Sequence, residues 1–245
     1  MLPMIWIFDS YSIMMLIGVI ACFGLFALYC KKQKFEKNFL LDIIICACLS
    51  IIIGILTAAL AQIIFDLLKD LNSIRFGAMT FYGGLIGGVI AFILIFKFWI
   101  KKQHKTRTIT NDIIPIAPAC ITIAHAFGRI GCFLAGCCHG KETTSSLGIY
   151  FPSIDAVVYP TQLYEALFLL ILSSVLFLLA YYKNLKYNMC IYLFSYGIFR
   201  FMIEFLRGDN RGFSLLSLSP SQLLSIVALL FSVGYFIYLK KKRNC

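Results

Sequence analysis

SYGIFRFMIEFLRGDNR, residues Ser195–Arg211, sets Arg200 and Glu204 inside an otherwise apolar stretch that is long enough to enter a membrane. An ionisable group at the middle of a spanning helix costs roughly 2.5–3.5 kcal/mol on insertion scales, so it persists where it faces a partner or a wet cavity. Tyr196, Arg200 and Glu204 are spaced i, i+4, i+8, which on a helix puts all three on one face, with Arg207 close to the same stripe. That face reads as the wall of a polar site.

The rest of the chain places this helix in a membrane. Of 245 residues, 61% are hydrophobic and 13% charged, and the mean hydropathy is +0.89, which excludes an ordinary soluble domain. Apolar runs at about 12–30, 42–65, 79–99, 112–127, 162–182, 189–206 and 220–239 each approach the ~20 residues that cross the hydrocarbon layer. The expected fold is therefore an all-α polytopic membrane protein of seven transmembrane helices, with residues 1–245 forming a single membrane domain. Pro115, Pro118 and His125 interrupt the fourth run, and a six-span chain with a re-entrant fourth segment is the alternative. No basic region precedes the first apolar run, so a cleaved signal peptide is not expected.

Charge orients the spans. Lys31 to Lys37, Lys97 to Arg107, Lys183 to Lys186 and Lys240 to Arg243 are alternate connections, and together they carry fifteen of the 22 lysines and arginines. Positive residues collect on the cytoplasmic side, so the N-terminus is expected outside and the C-terminus in the cytoplasm, which requires an odd number of spans. The net charge of +11 reports this rule, and no nucleic-acid partner is expected. The seven remaining basic residues are Lys69, Arg75, Arg129, Lys141, Arg200, Arg207 and Arg211, so lysine dominates inside and arginine outside. Topology does not ask for that split. A site gripping phosphate or carboxylate does, because guanidinium offers a planar, weakly hydrated fork of donors. The competing reading is arginine snorkelling to lipid headgroups, which suits Arg75 and Arg211 better than Arg129 and Arg200.

The longest non-cytoplasmic connection, about 128–160, opens with GRIGCFLAGCCHG. Glycines 128, 131, 136 and 140 discourage a regular helix and let backbone approach a ligand, so the segment is expected to be an extracytoplasmic binding loop rich in glycine and cysteine. Beyond it, Thr161 is expected to cap the fifth span, with Glu165 as an acid in its first turn.

At these residues the chain resembles the prolipoprotein diacylglyceryl transferase family. The resemblance rests on the order and spacing of Phe81-Tyr82-Gly83-Gly84, the Gly128 to Gly140 segment, Tyr159 to Glu165, and Tyr196 to Arg207, with Tyr11 standing where the family has a functional tyrosine. It implies a multi-pass enzyme of the bacterial plasma membrane that needs neither cofactor nor metal and has its active site toward the extracytoplasmic side. Such an enzyme moves a diacylglyceryl group from phosphatidylglycerol to a cysteine sulfur in the signal peptide of a prolipoprotein, releasing glycerol phosphate. Its partners are these substrates and the membrane lipids. Carried onto this sequence, the catalytic set is Arg129, Arg200, Tyr82, Glu204 and Cys137. Tyr11, Gly83, Gly84, Cys132, Gly140, Tyr196 and Arg207 form the substrate-binding set. Arg129 and Arg200 would hold the phosphate and oppose the charge that grows on it as it leaves, Glu204 would orient Arg200, and Tyr196 would add a hydrogen bond. The chain departs from the family where Tyr82 replaces a histidine, Cys132 and Ala135 replace two asparagines, and Cys137 replaces a glutamate.

Ten cysteines need their own account. Cys22, Cys30, Cys46, Cys48, Cys120 and Cys190 lie in or beside apolar spans and read as small buried hydrophobes. Cys132, Cys137 and Cys138 crowd one short segment. Disulfide pairing, direct catalysis and plain packing remain open for them, while three thiols and His139 within eight residues match no standard zinc spacing. His125 reads as a hydrogen-bonded helix residue, and His104, in a basic connection, as solvated. Two other functions compete with the transferase reading: a related lipid-group transferase using Cys137 or Cys138 as covalent nucleophile on another acceptor, and a non-catalytic lipid-binding membrane protein.

Overall fold

The computed structural model describes residues 4–5, 8–69, 81–208 and 218–244. Among them are seven helices long and apolar enough to cross a membrane. These are α1 (Ser10–Lys32), α2 (Lys37–Lys69), α3 (Phe81–Ile95, continued by a π-helical turn Phe96–Ile100 and a last turn to Gln103), α4 (Ala117–Leu134), α5 (Thr161–Lys183), α6 (Asn188–Ile203, tightening into a 3-10 turn Glu204–Leu206) and α7 (Pro220–Asn244). Strands are few and short: β1 (Met4–Ile5) pairs with β2 (Phe8–Asp9), and β3 (Ile149–Phe151) with β4 (Ala156–Val158), both antiparallel. Large apolar side chains along the helices are mostly exposed, as they are when lipid is the solvent.

Two compact units are present, residues 30–109 and residues 1–29 with 110–245. In the first, α2 and α3 pack through small residues. A Cβ on Gly83 would stand 2.5 Å from that of Ala61, one on Gly84 would lie 3.1 Å from that of Ala58, and one on Gly87 would collide with the Thr57 side chain. Without a hydrophobic force between helices in lipid, such close backbone approach supplies the attraction. His104 is not solvated as expected. Its Nε2 lies 2.8 Å from Asp42 Oδ2 and its ring packs edge-on to Phe39, beside Arg107, whose guanidinium covers Phe35 at 4.3 Å. A basic connection still buries a histidine when a carboxylate and an aromatic ring are there to receive it.

In the second unit the fourth segment is a continuous helix long and apolar enough to cross a membrane. Pro115 precedes α4 and Pro118 occupies its first turn, where a missing N–H costs nothing. Two carbonyls around this helix start accept side-chain donors from neighbours: Asn188 Nδ2 donates to Pro115 O at 2.7 Å, and Ser173 Oγ donates to Ala119 O at 2.9 Å. Gly128 and Gly131 do not break the helix. They face α1, so that a Cβ on Gly131 would meet Tyr11 at 3.1 Å and one on Gly128 would meet Met15 Sδ at 3.3 Å. Irregular chain therefore begins at Ala135 and Arg129 stands on a helix. Nor does Thr161 cap α5: Pro160 takes the N-cap position, and Glu165 falls beyond the first turn. Of the cysteines expected to be buried, Cys30, Cys46, Cys120 and Cys190 are, Cys22 is half-buried, and Cys48 is exposed on α2.

Gly54 lies in the α2–α3 seam, where a Cβ would come within 3.1 Å of Gly84 O and 3.4 Å of Gly88 Cα, so backbone rather than a pliant side chain opposes it. Gly54→Val should cost about 1–3 kcal/mol through overpacking, read as a lowered midpoint in thermal unfolding of the detergent-solubilised chain.

Candidate active site

One end of the second unit gathers the polar groups. The last turns of α4 supply His125 and Arg129, the start of α5 supplies Glu165, the end of α6 supplies Tyr196, Arg200 and Glu204, and the start of α7 supplies Ser221. Lys183 and Lys240–Lys242 lie at the opposite ends of α5 and α7.

Glu165 is the centre of this set. Its side chain is wholly buried, a position a carboxylate holds only against partners. Arg129 Nε stands 3.0 Å from Oε2, and Tyr196 donates its hydroxyl proton to Oε1 at 2.9 Å. His125 Nε2 lies 3.6 Å from Oε1, accepts from Arg129 Nε at 3.3 Å, and sets its ring edge-on to Tyr196. Three residues from two neighbouring helices thereby surround one negative charge.

Arg200 forms the adjoining wall. Its Nη2 pairs with Glu204 Oε2 at 2.8 Å and donates to Ser221 Oγ at 2.9 Å. Its Nη1 is buried with no hydrogen-bond partner among the described residues, while the residue as a whole is 7% exposed. Arg129 and Arg200 both lie within electrostatic reach of Glu165. The two guanidiniums thus share one site, and Tyr196, Arg200 and Glu204 share the face that their spacing predicts. In this arrangement the Tyr196 proton goes to Glu165, so the phenol positions the carboxylate. Arg207, 4% exposed, acts electrostatically on Arg129.

The connection after α4 is tied to this site by backbone. Gly140 N–H donates to Tyr159 O at 2.8 Å, Lys141 N–H to Leu206 O at 2.8 Å, and Thr143 N–H to Val157 O at 2.9 Å, and Gly140 bridges Arg207. A side chain at residue 140 would stand 2.7 Å from Leu206 O and 2.8 Å from Tyr159 O, so glycine is what lets the three strands of chain meet. From α5, Thr161 Oγ1 donates to Cys138 O at 3.3 Å, and Gln162 Nε2 donates to Cys137 O.

These tethers bring three sulfurs together. The Sγ atoms of Cys132, Cys137 and Cys138 lie within 4.8 Å of one another, all as free thiols. A hydrogen bond from Cys132 pulls the Cys138 thiol down to about 5, with help from Cys137, Arg207 and Arg129, while burial works the other way. Burial pushes the Cys137 thiol up. Tyr11, 42% exposed, lies at the rim, within electrostatic reach of Cys132, Arg129, Cys137 and Cys138.

Of the residues singled out from sequence, the structure therefore brings together Arg129, Arg200, Glu204, Tyr196, Arg207, Tyr11, Cys132, Cys137 and Gly140. Gly83 and Gly84 serve the α2–α3 seam, and the side chain of Tyr82 lies outside the described residues. Sequence reasoning missed Glu165 as the hub, and with it Ser221, Gln162 and the pairing of His125. The available signal was charge balance: two arginines at membrane depth need more anion than Glu204, and Glu165 is an acid at the head of the fifth span.

The fold and site define a multi-helix membrane protein with arginines buried against carboxylates at one end of its second unit. The chain belongs to the prolipoprotein diacylglyceryl transferase family, whose model matches residues 4–238. It is similar to a phosphatidylglycerol–prolipoprotein diacylglyceryl transferase of Clostridium tetani, with 32% identity over 94% of this chain and 91% of that one. It also resembles an enzyme of that name numbered 2 in Clostridium perfringens, at 35% over 90% and 87%, and one of Chlorobaculum tepidum, at 32% over 86% and 78%.

Glu165→Ala leaves Arg129 buried without its counter-charge and should cost roughly 3–5 kcal/mol. Cys137→Ser, at an exposed position, should stay within about 0.5 kcal/mol of the parent. Unfolding curves in mixed detergent micelles read both.

Proposed function

We propose that this chain transfers the diacylglyceryl group of phosphatidylglycerol to the cysteine thiol of a prolipoprotein. One observation carries the reading: Arg200 Nη1 is buried with no hydrogen-bond partner among the described residues, in the same site as a second guanidinium that Glu165 holds in place. Together they form a preformed receptor for a phosphate at membrane depth.

The acceptor sulfur attacks the glycerol carbon that bears the phosphate ester. The carbon–sulfur bond forms as the carbon–oxygen bond breaks, the thiol proton leaves to a base, and the bonding pair departs with the oxygen as glycerol phosphate. Negative charge grows on the phosphate oxygens during this step. Guanidiniums fixed in a poorly solvated pocket oppose it without reorganising, and their effect is stronger there than in water. Arg129 and Arg200 take that role, Glu204 and Ser221 fix Arg200, Glu165 with Tyr196 fixes Arg129, and Arg207 adds positive potential. No protein nucleophile is required, because the attacking sulfur arrives on the substrate.

The lysine-rich helix ends belong to the cytoplasm and the arginine site to the opposite, extracytoplasmic side, with the N-terminus outside and the C-terminus inside. This follows from the positive-inside rule and from the site lying at the ends of α5 and α7 away from Lys183 and Lys240. The location is the bacterial plasma membrane. A lipid with two tails and a signal-peptide helix would enter sideways from the bilayer.

Purified chain in phosphatidylglycerol nanodiscs should move labelled diacylglyceryl to a lipobox peptide. Arg129→Ala and Arg200→Ala should each lower the rate by about 10²–10³, the range found when one preorganised donor is removed. Absence of transfer by the parent chain overturns the reading, as does full activity in both variants.

A further inference from the structure

The cysteines are the largest polar feature that the transfer chemistry leaves unused. Their spacing, Cys-x4-Cys-Cys, resembles no familiar zinc motif, but a metal responds to the positions of sulfurs rather than to sequence. We propose that Cys132, Cys137 and Cys138 form a three-thiolate site for one soft d10 cation, of the copper(I), zinc or cadmium class, beside the arginine pocket.

Geometry is the first argument. Metal–sulfur bonds of about 2.3 Å, in trigonal or tetrahedral arrangement, put sulfurs roughly 3.8–4.0 Å apart. The three Sγ atoms already lie within 4.8 Å of one another. Side-chain rotation on a fixed backbone closes a gap of that size.

The backbone is indeed fixed. Cys132 stands in the last turn of α4, and Cys137 N–H donates back to Cys132 O at 3.1 Å. The turn between them passes through the left-handed region at Gly136 (φ 73°) and again at Cys138 (φ 64°), a conformation that a residue with a Cβ adopts only when its surroundings impose it. Thr161 and Gln162 of α5, both fully buried, impose it through the carbonyls of Cys138 and Cys137. Plain packing of three small hydrophobes needs no such device. A rigid ligand set does.

The chemistry selects the ion. Three sulfurs without carboxylate or imidazole favour soft cations over magnesium or calcium. His139 is not part of the cluster: its Nδ1 lies 3.0 Å from Gly140 O and its ring packs on Phe151. Three thiolates around a monovalent or divalent cation leave a net negative charge, and Arg129 and Arg207, both within electrostatic reach of the cluster, offset it. Cys137 is exposed, which gives an ion its entry and leaves a fourth position open. Binding displaces the remaining thiol protons to solvent and involves no change of oxidation state.

The test needs no transfer assay, so it stands apart from the proposed function. Full-length chain in detergent, reduced with a phosphine, is titrated with cadmium(II). A sulfur-to-cadmium absorption band should saturate at one equivalent. Cys132→Ser, Cys137→Ser and Cys138→Ser should each weaken binding by at least about tenfold, a loss that even an outer-shell partner's removal can cause, whereas Cys48→Ser should change nothing. Cadmium NMR of the parent chain counts the sulfur ligands directly and keeps the test decisive should a serine variant fail to fold. A signal for fewer than three sulfurs overturns the proposal. So does cadmium affinity unchanged by any of the three substitutions, or a chain that isolates with a disulfide in this cluster and binds no cadmium once reduced.

Discussion

A fully buried carboxylate cannot remain charged unless the fold is built around it, and Glu165 sets that constraint here. Its partners come from the two helices on either side: Arg129 and His125 from α4 and Tyr196 from α6. Moving any one helix along its axis by a residue would leave a charge in a medium that solvates it poorly. The penalty for such a vacancy, several kcal/mol per ion, far exceeds what a few side-chain contacts contribute in lipid, where helix association draws little from apolar burial. Register among α4, α5 and α6 is therefore specified by polar pairing, and the glycine seams and aromatic contacts follow it.

Much of the fold was legible because a membrane imposes simple rules on sequence. Seven apolar runs became seven helices, and Gly83, Gly84 and Gly87 pack where small residues are expected to. The errors share one cause. Pro115, Pro118, Gly128 and Gly131 read locally as breakers, whereas the prolines stand before and in the first turn of α4, where no N–H is needed, and the glycines are matched to Tyr11 and Met15 of α1. Local propensity yields to packing wherever a neighbour completes the missing hydrogen bond or fills the missing volume. His104 is the same lesson on a small scale, since Asp42 lies sixty-two residues away in sequence.

The site was legible in part for a different reason. Arg200 and Glu204 are a turn apart on one helix, so spacing alone predicts the pair. Arg129 and Glu165 are joined only in space, and nothing in the sequence around either residue names the other. Tyr196 was placed on the right face, but whether its proton serves substrate or protein depends on which acceptor stands nearest, and that acceptor is Glu165. Backbone joins such as Gly140 with Arg207 leave no periodic signature.

The opening turn of α5 carries more of this architecture than its composition announces. Thr161 and Gln162 hold the carbonyls of the cysteine turn, and Glu165, one turn along, holds the Arg129 guanidinium. Arg129 in turn sits one helical turn before Cys132 on α4, so the sulfur cluster and the arginine site are braced by the same two helices from both sides. Preorganised electrostatics demands such bracing, because a donor that must first move loses much of its advantage over water. The chain meets that demand by burying Thr161, Gln162 and Glu165 against fixed partners. Arg129 and Arg200 are each paired with a carboxylate. A site made in this way is ordered before any ligand arrives, which is what preorganised electrostatics asks of it.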